Sequence, residues 1–377
     1  MSDLQKMIDE DVLTAVLQTV FQAQASLLEW QMSSAHSGYN HSLTGGIYRL
    51  SGKAKVDHET QNWSLILKVV LAPDPPDTVS DPDYWKREFH AYQSNLLAQM
   101  LGPLHAPKCY LAQEISETRY YLWLEELTDD LGNDWPLTHY QTVGQHLGQF
   151  NGAYLLQNSL PSEPWLSRGW LSNWLSQYVD VADLIGKDET WQHPLVNGRF
   201  PSNTRKRLLK VWDNRNKLQQ SLQTLPQTLL HQDAYRPNLM AQGDRTILLD
   251  WDKMGIGAAG EELGGVVPAS MIWFRVDADE AIAFGELIYQ GYLAGLREAG
   301  WQGEERLVRL GFTASSVLRW LMPGLFWLRG TVDPEYVDQW TAWWQRPLPV
   351  MLTQWVKVTI YLLNLADEAL KLANEGV

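Results

Sequence analysis

The chain has 377 residues, 45% of them apolar, with 44 acidic against 30 basic side chains for a formal charge of −14. That size suffices for two compact lobes, and the acidic balance argues against a nucleic-acid partner, because phosphate backbones are held by clustered Lys and Arg. A single cysteine, Cys109, excludes an internal disulfide, and the absence of a basic, apolar leader makes a cytoplasmic location the expectation.

Apolar residues recur at steps of three and four from Leu4 through Ile8, Val12, Val16, Val20, Ala23, Leu27 and Trp30. This is the period of an amphipathic helix, so residues 2–32 are expected to form one helix packed on the body. Strand-like runs follow, GIYRLSG and then SLILKVV at 64–70, separated by turn signals. The run LAPDPPDTVSDPD reads as a solvated loop leading into a helix over YWKREFHAYQSNLLAQM, and YYLWLEEL at 120–127 as a further strand. Helical patterns dominate from there to about residue 223. LPQTLL and NLMAQGDRTILLDW then suggest short strands joined at a Gly243-Asp244 hairpin, before helices resume.

The apolar run FTASSVLRWLMPGLFWL at 312–328 is short for a bilayer and carries Arg319 and Pro323, so it reads as a core helix broken by proline, and no membrane partner is expected. The nineteen tryptophans concentrate after residue 123, where core and groove lining is the ordinary reading. The histidines show no HExxH or related spacing, which gives no case for zinc. No internal repeat or low-complexity tract appears. The expected organisation is a helical extension over 1–34, a small β-rich lobe over 35–125 and a larger, mainly helical lobe over 126–377.

The stretch LLHQDAYRPNLM, residues 229–240, begins and ends like a buried strand yet holds His231, Asp233 and Asn238. An unpaired buried polar group costs roughly 2–7 kcal/mol, so these residues need partners or a chemical role. Singly, His231 reads as a structural histidine and Asp233 as a turn cap. Together, with Asp250 ending the strand TILLDW, they match the catalytic-loop pattern of phosphoryl transfer. Asn238 and Asp250 supply the hard oxygen ligands that Mg²⁺ takes, and Asp233 sits where a base accepting a hydroxyl proton belongs. His231 would brace the loop. Lys68, inside an apolar strand, with Glu88 in the next helix makes a candidate clamp for the nucleotide phosphates; singly, they read as a snorkelling lysine and a solvated acid.

On these residues the chain resembles the aminoglycoside phosphotransferase and choline kinase-like family, the small-molecule branch of the protein kinase-like fold. The resemblance implies an α+β, two-lobed architecture with a β-rich N-lobe, a mainly helical C-lobe and here an extra N-terminal helix. It implies ATP or GTP as donor, Mg²⁺, and a small-molecule hydroxyl acceptor. YLWLEEL would join the lobes, with backbone groups of Glu125, Glu126 and Leu127 facing the adenine. The nucleotide-covering turn would be SLTGGIYRL with Gly45 and Gly46, a short version that singly reads as a hairpin. Two departures stand out: Glu262 where the family carries aspartate to brace the loop, and Asn151 where relatives often carry histidine.

The leading expectation is a small-molecule kinase of the phosphotransferase class with an alcohol acceptor; the alternative is a catalytically idle nucleotide-binding module. Protein phosphorylation fits less well, because no APE-like segment follows Asp250. The pattern Gly255-x-Gly257-x-x-Gly260 matches a dinucleotide fingerprint but does not open a helix after the first strand of a βαβ unit. The acceptor groove is expected between the catalytic loop and EPWLSRGWLSNWL, with WTAWW near its mouth, although ordinary core is the better reading of those aromatics. The sequence carries no signal for oligomeric state.

Overall fold

A computed structural model describes residues 8–35, 44–100, 102–157 and 160–375. Asp9 caps the first helix by accepting from the Asp11 N–H at 2.8 Å, and α1 (Glu10–Phe21) follows with an acidic first turn that complements its N-terminal dipole. Gln22 then turns left-handed at φ 53°, and strand β1 (Ala25–Ser34) begins. The single helix expected over 2–32 is therefore a shorter helix followed by a strand. Ala25, Leu27, Trp30 and Met32 all reach the packed side of the sheet because a bulge between Leu27 and Glu29 shifts the alternation. That shift produces a spacing which reads equally well as helical. Opposite the bulge a Cβ on Gly52 would lie 2.0 Å from the Glu29 carbonyl oxygen, so only glycine fits there.

Strands β2 (Thr44–Val56) and β3 (Glu59–Leu71) form a hairpin over Asp57-His58, with Asp57 left-handed as a tight primed turn requires. Helix α2 (Arg87–Gln93) is much shorter than the segment expected over 84–100. The Ser94 hydroxyl donates to the Ala91 carbonyl and accepts from the Leu96 N–H, a local competitor that ends the helix. Two further strands carry no distinct sequence signal: the two-residue β4 (Leu104–His105) and the half-buried β5 (Cys109–Ser116). β6 (Arg119–Glu125) completes an antiparallel sheet in the order β1-β2-β3-β6-β5.

Leu13, Val16 and Leu17 of α1 share one core with Leu50, Trp63, Leu65 and Leu67. The helix of the expected 1–34 extension thus packs on the β-rich lobe. Gly45 and Gly46, expected in a turn, lie inside β2 at a bulge opposite Val69 and Val70, with Gly46 at φ 136°. The connection from β1 to β2 falls largely in 36–43, so the remainder of the expected covering turn lies outside the described residues.

The second lobe begins with α3 (Leu137–Leu155), followed by five short helices: α4 (Trp170–Ser176), α5 (Val179–Gly186), α6 (Asp188–Gln192), α7 (Thr204–Asp213) and α8 (Arg215–Thr224). Strands β7 (Gln227–Leu230), β8 (Leu239–Gln242), β9 (Arg245–Leu248) and β10 (Gly255–Ala258) carry the loops of interest. The β8–β9 hairpin turns at Gly243-Asp244 as expected, with Gly243 at φ 57°. β10 pairs with β7, and β4 joins β9 in parallel.

Helices α9 (Leu263–Ile272), α10 (Ala281–Glu298), α11 (Glu305–Trp320), α12 (Glu335–Trp344) and α13 (Leu348–Asn374) complete the lobe. A Cβ on Gly148 would stand 2.1 Å from the Tyr292 carbonyl oxygen, and one on Gly295 1.9 Å from that of Gln145, so α3 and α10 pack backbone against backbone. The proline-broken apolar run appears as α11 followed by a 3₁₀ stretch over Pro323–Thr331. α13 is long and apolar enough to cross a membrane by length and composition, but 61% of its most apolar window is buried within the fold. The architecture is the expected two-lobed, protein kinase-like α+β fold.

Candidate active site

His231 to Asn238 form the turn between β7 and β8. The turn is braced from below by Glu262, whose carboxylate oxygens accept from the His231 N–H at 2.8 Å and the Gln232 N–H at 3.0 Å. The glutamate that replaces the family aspartate thus has the reach to hold both amides. Burial raises its carboxyl to about 7 against the pull of those two hydrogen bonds. Gln232, held this way, sits left-handed at φ 65°, a conformation a non-glycine residue keeps only when its surroundings enforce it.

The imidazole of His231 is fully enclosed beside Trp251, at 4.5 Å between ring centroids. Its Nδ1 accepts from the Asp233 N–H at 3.1 Å, which leaves Nε2 to donate to the Leu249 carbonyl at 2.9 Å. Burial pushes this histidine down to about 4, so it is a neutral, tautomer-fixed brace between the loop and the segment bearing Asp250. A second tie, from the Leu249 N–H to the Asn238 carbonyl at 2.9 Å, sets the two segments side by side.

Asn238 turns its Nδ2 onto Asp233, donating to the main-chain carbonyl and to Oδ2, each at 3.0 Å. Its Oδ1 is thereby left as the acceptor. Asp250 occupies a left-handed position at φ 62°, and its Oδ1 accepts from Lys68 Nζ at 2.6 Å. Lys68 also pairs with Glu88 Oε2 at 2.6 Å, while Glu88 Oε1 accepts from the Trp251 N–H at 3.3 Å. Lys68 and Glu88 are almost wholly buried, so breaking either side leaves an uncompensated charge. Burial works to lower the Lys68 amine, but Asp250 and Glu88 carry it well above its usual value. Burial likewise raises Glu88, to about 7, with Lys68 opposing. Asp250 is held below the usual carboxylate range, because Lys68, His231 and Lys253 outweigh its own burial.

The structure therefore brings Lys68, Glu88, His231, Asp233, Asn238 and Asp250 together from β3, α2, the turn after β7 and the end of β9. Among the described residues no group of three or more His, Cys, Asp or Glu side chains is placed to hold a metal. The available donors are one amide oxygen and one carboxylate oxygen, from Asn238 and Asp250, a set that suits Mg²⁺ completing its shell with phosphate and water.

One expectation needs correction. The Glu125 N–H donates to the Lys108 carbonyl at 2.9 Å, and the Glu125 carboxylate accepts from the Lys108 N–H, so this amide is committed to the edge strand and is not a donor toward adenine. Glu126 pairs with Arg49 at 2.6 Å, and Leu127 lies just beyond the end of β6. Asn151 is structural, since its Nδ2 donates to the Leu229 carbonyl, its Oδ1 accepts from Tyr292, and its carbonyl accepts from Thr228.

Three residues of the site are not evident in the sequence. Arg87, adjacent to Glu88, donates to the carbonyls of Asp81, Trp165 and Asp252 and so staples α2 to the second lobe. Lys253 lies 2.9 Å from Asp83 and 3.5 Å from Asp252, in the segment just after Asp250. For these two, closeness in sequence to Glu88 and Asp250 is the only signal. Arg319 pairs with Asp233 at 2.6 Å, from a run that reads mainly as apolar. Trp170 and Trp174 of the expected groove segment stack on each other, with Trp170 buried as core under Arg319. WTAWW does approach the loop: Trp344 packs at 4.8 Å on Trp273, which lies 6.1 Å from Tyr235.

The family model described as the phosphotransferase enzyme family (APH) matches residues 94–305, more than half of the chain and inclusive of both site segments around Asp233 and Asp250. The chain belongs to this family. It is accordingly a phosphotransferase. Lys68 and Glu88 lie upstream of the matched stretch and enter the site on geometry alone. Similar solved structures include an amicoumacin kinase in complex with AMP-PNP and Ca²⁺, at 12% identity and a TM-score of 0.51, covering 91% of this chain and 94% of that one. A choline kinase from Cryptosporidium parvum shows 12% identity and a TM-score of 0.47, over 92% and 89% of the two chains. A spectinomycin phosphotransferase in complex with ADP shows the same identity and TM-score, over 93% and 98%. At 12% identity the likeness to the amicoumacin kinase speaks for the fold alone. No curated protein sequence matches the chain.

Proposed function

We propose that this phosphotransferase moves the γ-phosphate of ATP or GTP to a hydroxyl group of a small molecule, with Asp233 as the base and Lys68, held by Glu88, on the nucleotide phosphates. The observation that supports this most is the ion triad Glu88–Lys68–Asp250, closed across 182 residues of sequence beside the Asp233–Asn238 pair. A buried cation between two acids from separate lobes is costly to assemble and serves a ligand of high negative charge.

In the proposed reaction the acceptor oxygen forms a bond to the γ-phosphorus while the bond from that phosphorus to the β,γ-bridging oxygen breaks. The hydroxyl proton passes to the Asp233 carboxylate, and the nucleoside diphosphate leaves with the bridging oxygen. Asn238 orients Asp233 by its amide and offers Oδ1, and Asp250 its second carboxylate oxygen, to a magnesium ion that would neutralise phosphate charge. Gly45 and Gly46 lie near Lys68 in register, with the Tyr48 ring packed against Gly46 and its hydroxyl donating to the Gly45 carbonyl at 3.2 Å, and their backbone would face the phosphates from the side Tyr48 leaves open. The main chain of Glu126 and Leu127 is left to meet the base. The acceptor would lie on the Tyr235 and Trp273 side of Asp233.

The test is a panel of hydroxyl compounds (amino sugars, amino alcohols, sugars) screened for magnesium-dependent release of ADP or GDP. At least one compound should raise release far above the rate with water alone. Thermal stabilisation by Mg-ATP with no turnover on any acceptor or on water would instead favour an idle nucleotide-binding module.

A further inference from the structure

Arg319 lies near the C-terminal end of α11, is 7% exposed, and directs its guanidinium at the turn that carries the proposed base. One terminal nitrogen donates to Asp233 Oδ1 at 2.6 Å and the other to the Gln232 carbonyl. Its planar face lies 4.4 Å over the Trp170 ring, with Trp320 on another side at 5.6 Å. The Trp174 indole N–H caps the Arg319 carbonyl at 2.8 Å. Space for the side chain comes from α9: a Cβ on Gly264 would meet the Ser316 amide nitrogen at 2.8 Å, and one on Gly265 would sit 3.3 Å from an Arg319 terminal nitrogen.

This arrangement clamps Gln232 from both ends, Glu262 taking its N–H and Arg319 its carbonyl, so the left-handed residue just before Asp233 cannot relax. It also fills the remaining oxygen of the carboxylate, since Asn238 holds Oδ2 and Arg319 holds Oδ1. A charge-assisted fork of this kind fixes both distance and plane. We propose that Arg319 is a positioning residue for phosphoryl transfer, holding the Asp233 carboxylate charge-paired and in a single orientation. The inference rests on the proposed role of Asp233.

The experiment compares Arg319→Lys and Arg319→Met with the wild type, reading kcat and KM for ATP with the best acceptor of the panel or with water. Arg319→Lys keeps the charge but not the fork; kcat should fall at least about tenfold, with KM for ATP unchanged. Arg319→Met should lower kcat further, again with KM for ATP unchanged. Wild-type kcat in the lysine variant overturns the proposal, and so does wild-type kcat, or a loss that appears only in KM for ATP, in a folded methionine variant. Should the methionine variant not fold, the lysine variant decides alone. Asp233→Asn, with Arg319 intact, separates the two readings: undiminished turnover there removes the base itself.

Discussion

The turn from His231 to Asn238 and the tryptophan wall it meets at Tyr235 and Trp273 are held in different ways. In the turn the site groups have named partners at hydrogen-bond distance, from Glu262 under the amides to Arg319 and Asn238 on the two oxygens of Asp233. In the wall, Trp273, Trp343, Trp344 and Trp355 meet at tilted or edge-on angles, which other aromatic residues would satisfy as well. Directional bonds admit few residue types at each position, whereas aromatic packing admits many. On the proposed function, a chemistry shared across a family would rest on the turn, and the choice of acceptor on the wall.

Four substitutions sharpen that contrast, beginning with the largest effect. Asp250→Ala should reduce magnesium-dependent turnover to background in a steady-state assay while the far-ultraviolet circular dichroism spectrum stays that of the wild type. Lys68→Met strands Glu88 in the interior; it should raise the KM for ATP and cost about 3–5 kcal/mol in denaturant unfolding, as breaking a buried pair does. A stability loss confined to a few tenths would show that the triad is solvated in solution.

The third change concerns His231, whose imidazole is depressed from 6.5 to about 4 by burial. Above pH 6.5 the folded and unfolded forms are both neutral; as pH falls toward 4 only the unfolded form gains the proton, so stability drains across that window. The term is on the order of 3 kcal/mol, and His231→Asn should lose this part of the slope of unfolding free energy against pH. An identical slope in both proteins would mean that the ring is not enclosed. The smallest effect is expected in the wall: Trp273→Ala should raise the KM for the acceptor about tenfold, consistent with about 1–2 kcal/mol of lost aromatic contact, and leave the KM for ATP alone. Equal effects on both substrates would erase the distinction between turn and wall.

The same contrast explains what was legible in the sequence. The site turn could be read because its spacing is local: His231, Asp233 and Asn238 lie within eight residues, and Asp250 ends a strand a short way on. Arg319 could not, since its partner is 86 residues distant and nothing in FTASSVLRWL marks which way the guanidinium turns. The strand β6, the Gly243 hairpin and the proline-broken helix were legible from composition and turn residues. β1 was not, because its bulge between Leu27 and Glu29 converts an alternating pattern into a helical one. The partner of the Glu125 amide was not legible for a comparable reason: it pairs with Lys108, beside a strand that carries no distinct signal of its own.

The central claim is that Asn238 and Asp250 together hold a divalent cation against the nucleotide. Manganese, a spectroscopic substitute for magnesium, can be titrated in the presence of AMP-PNP and followed by electron paramagnetic resonance. The wild type should hold Mn²⁺ more tightly than AMP-PNP does alone, and Asp250→Ala should lose that excess affinity. Equal Mn²⁺ binding by the two proteins, with the nucleotide bound to both, would contradict the account.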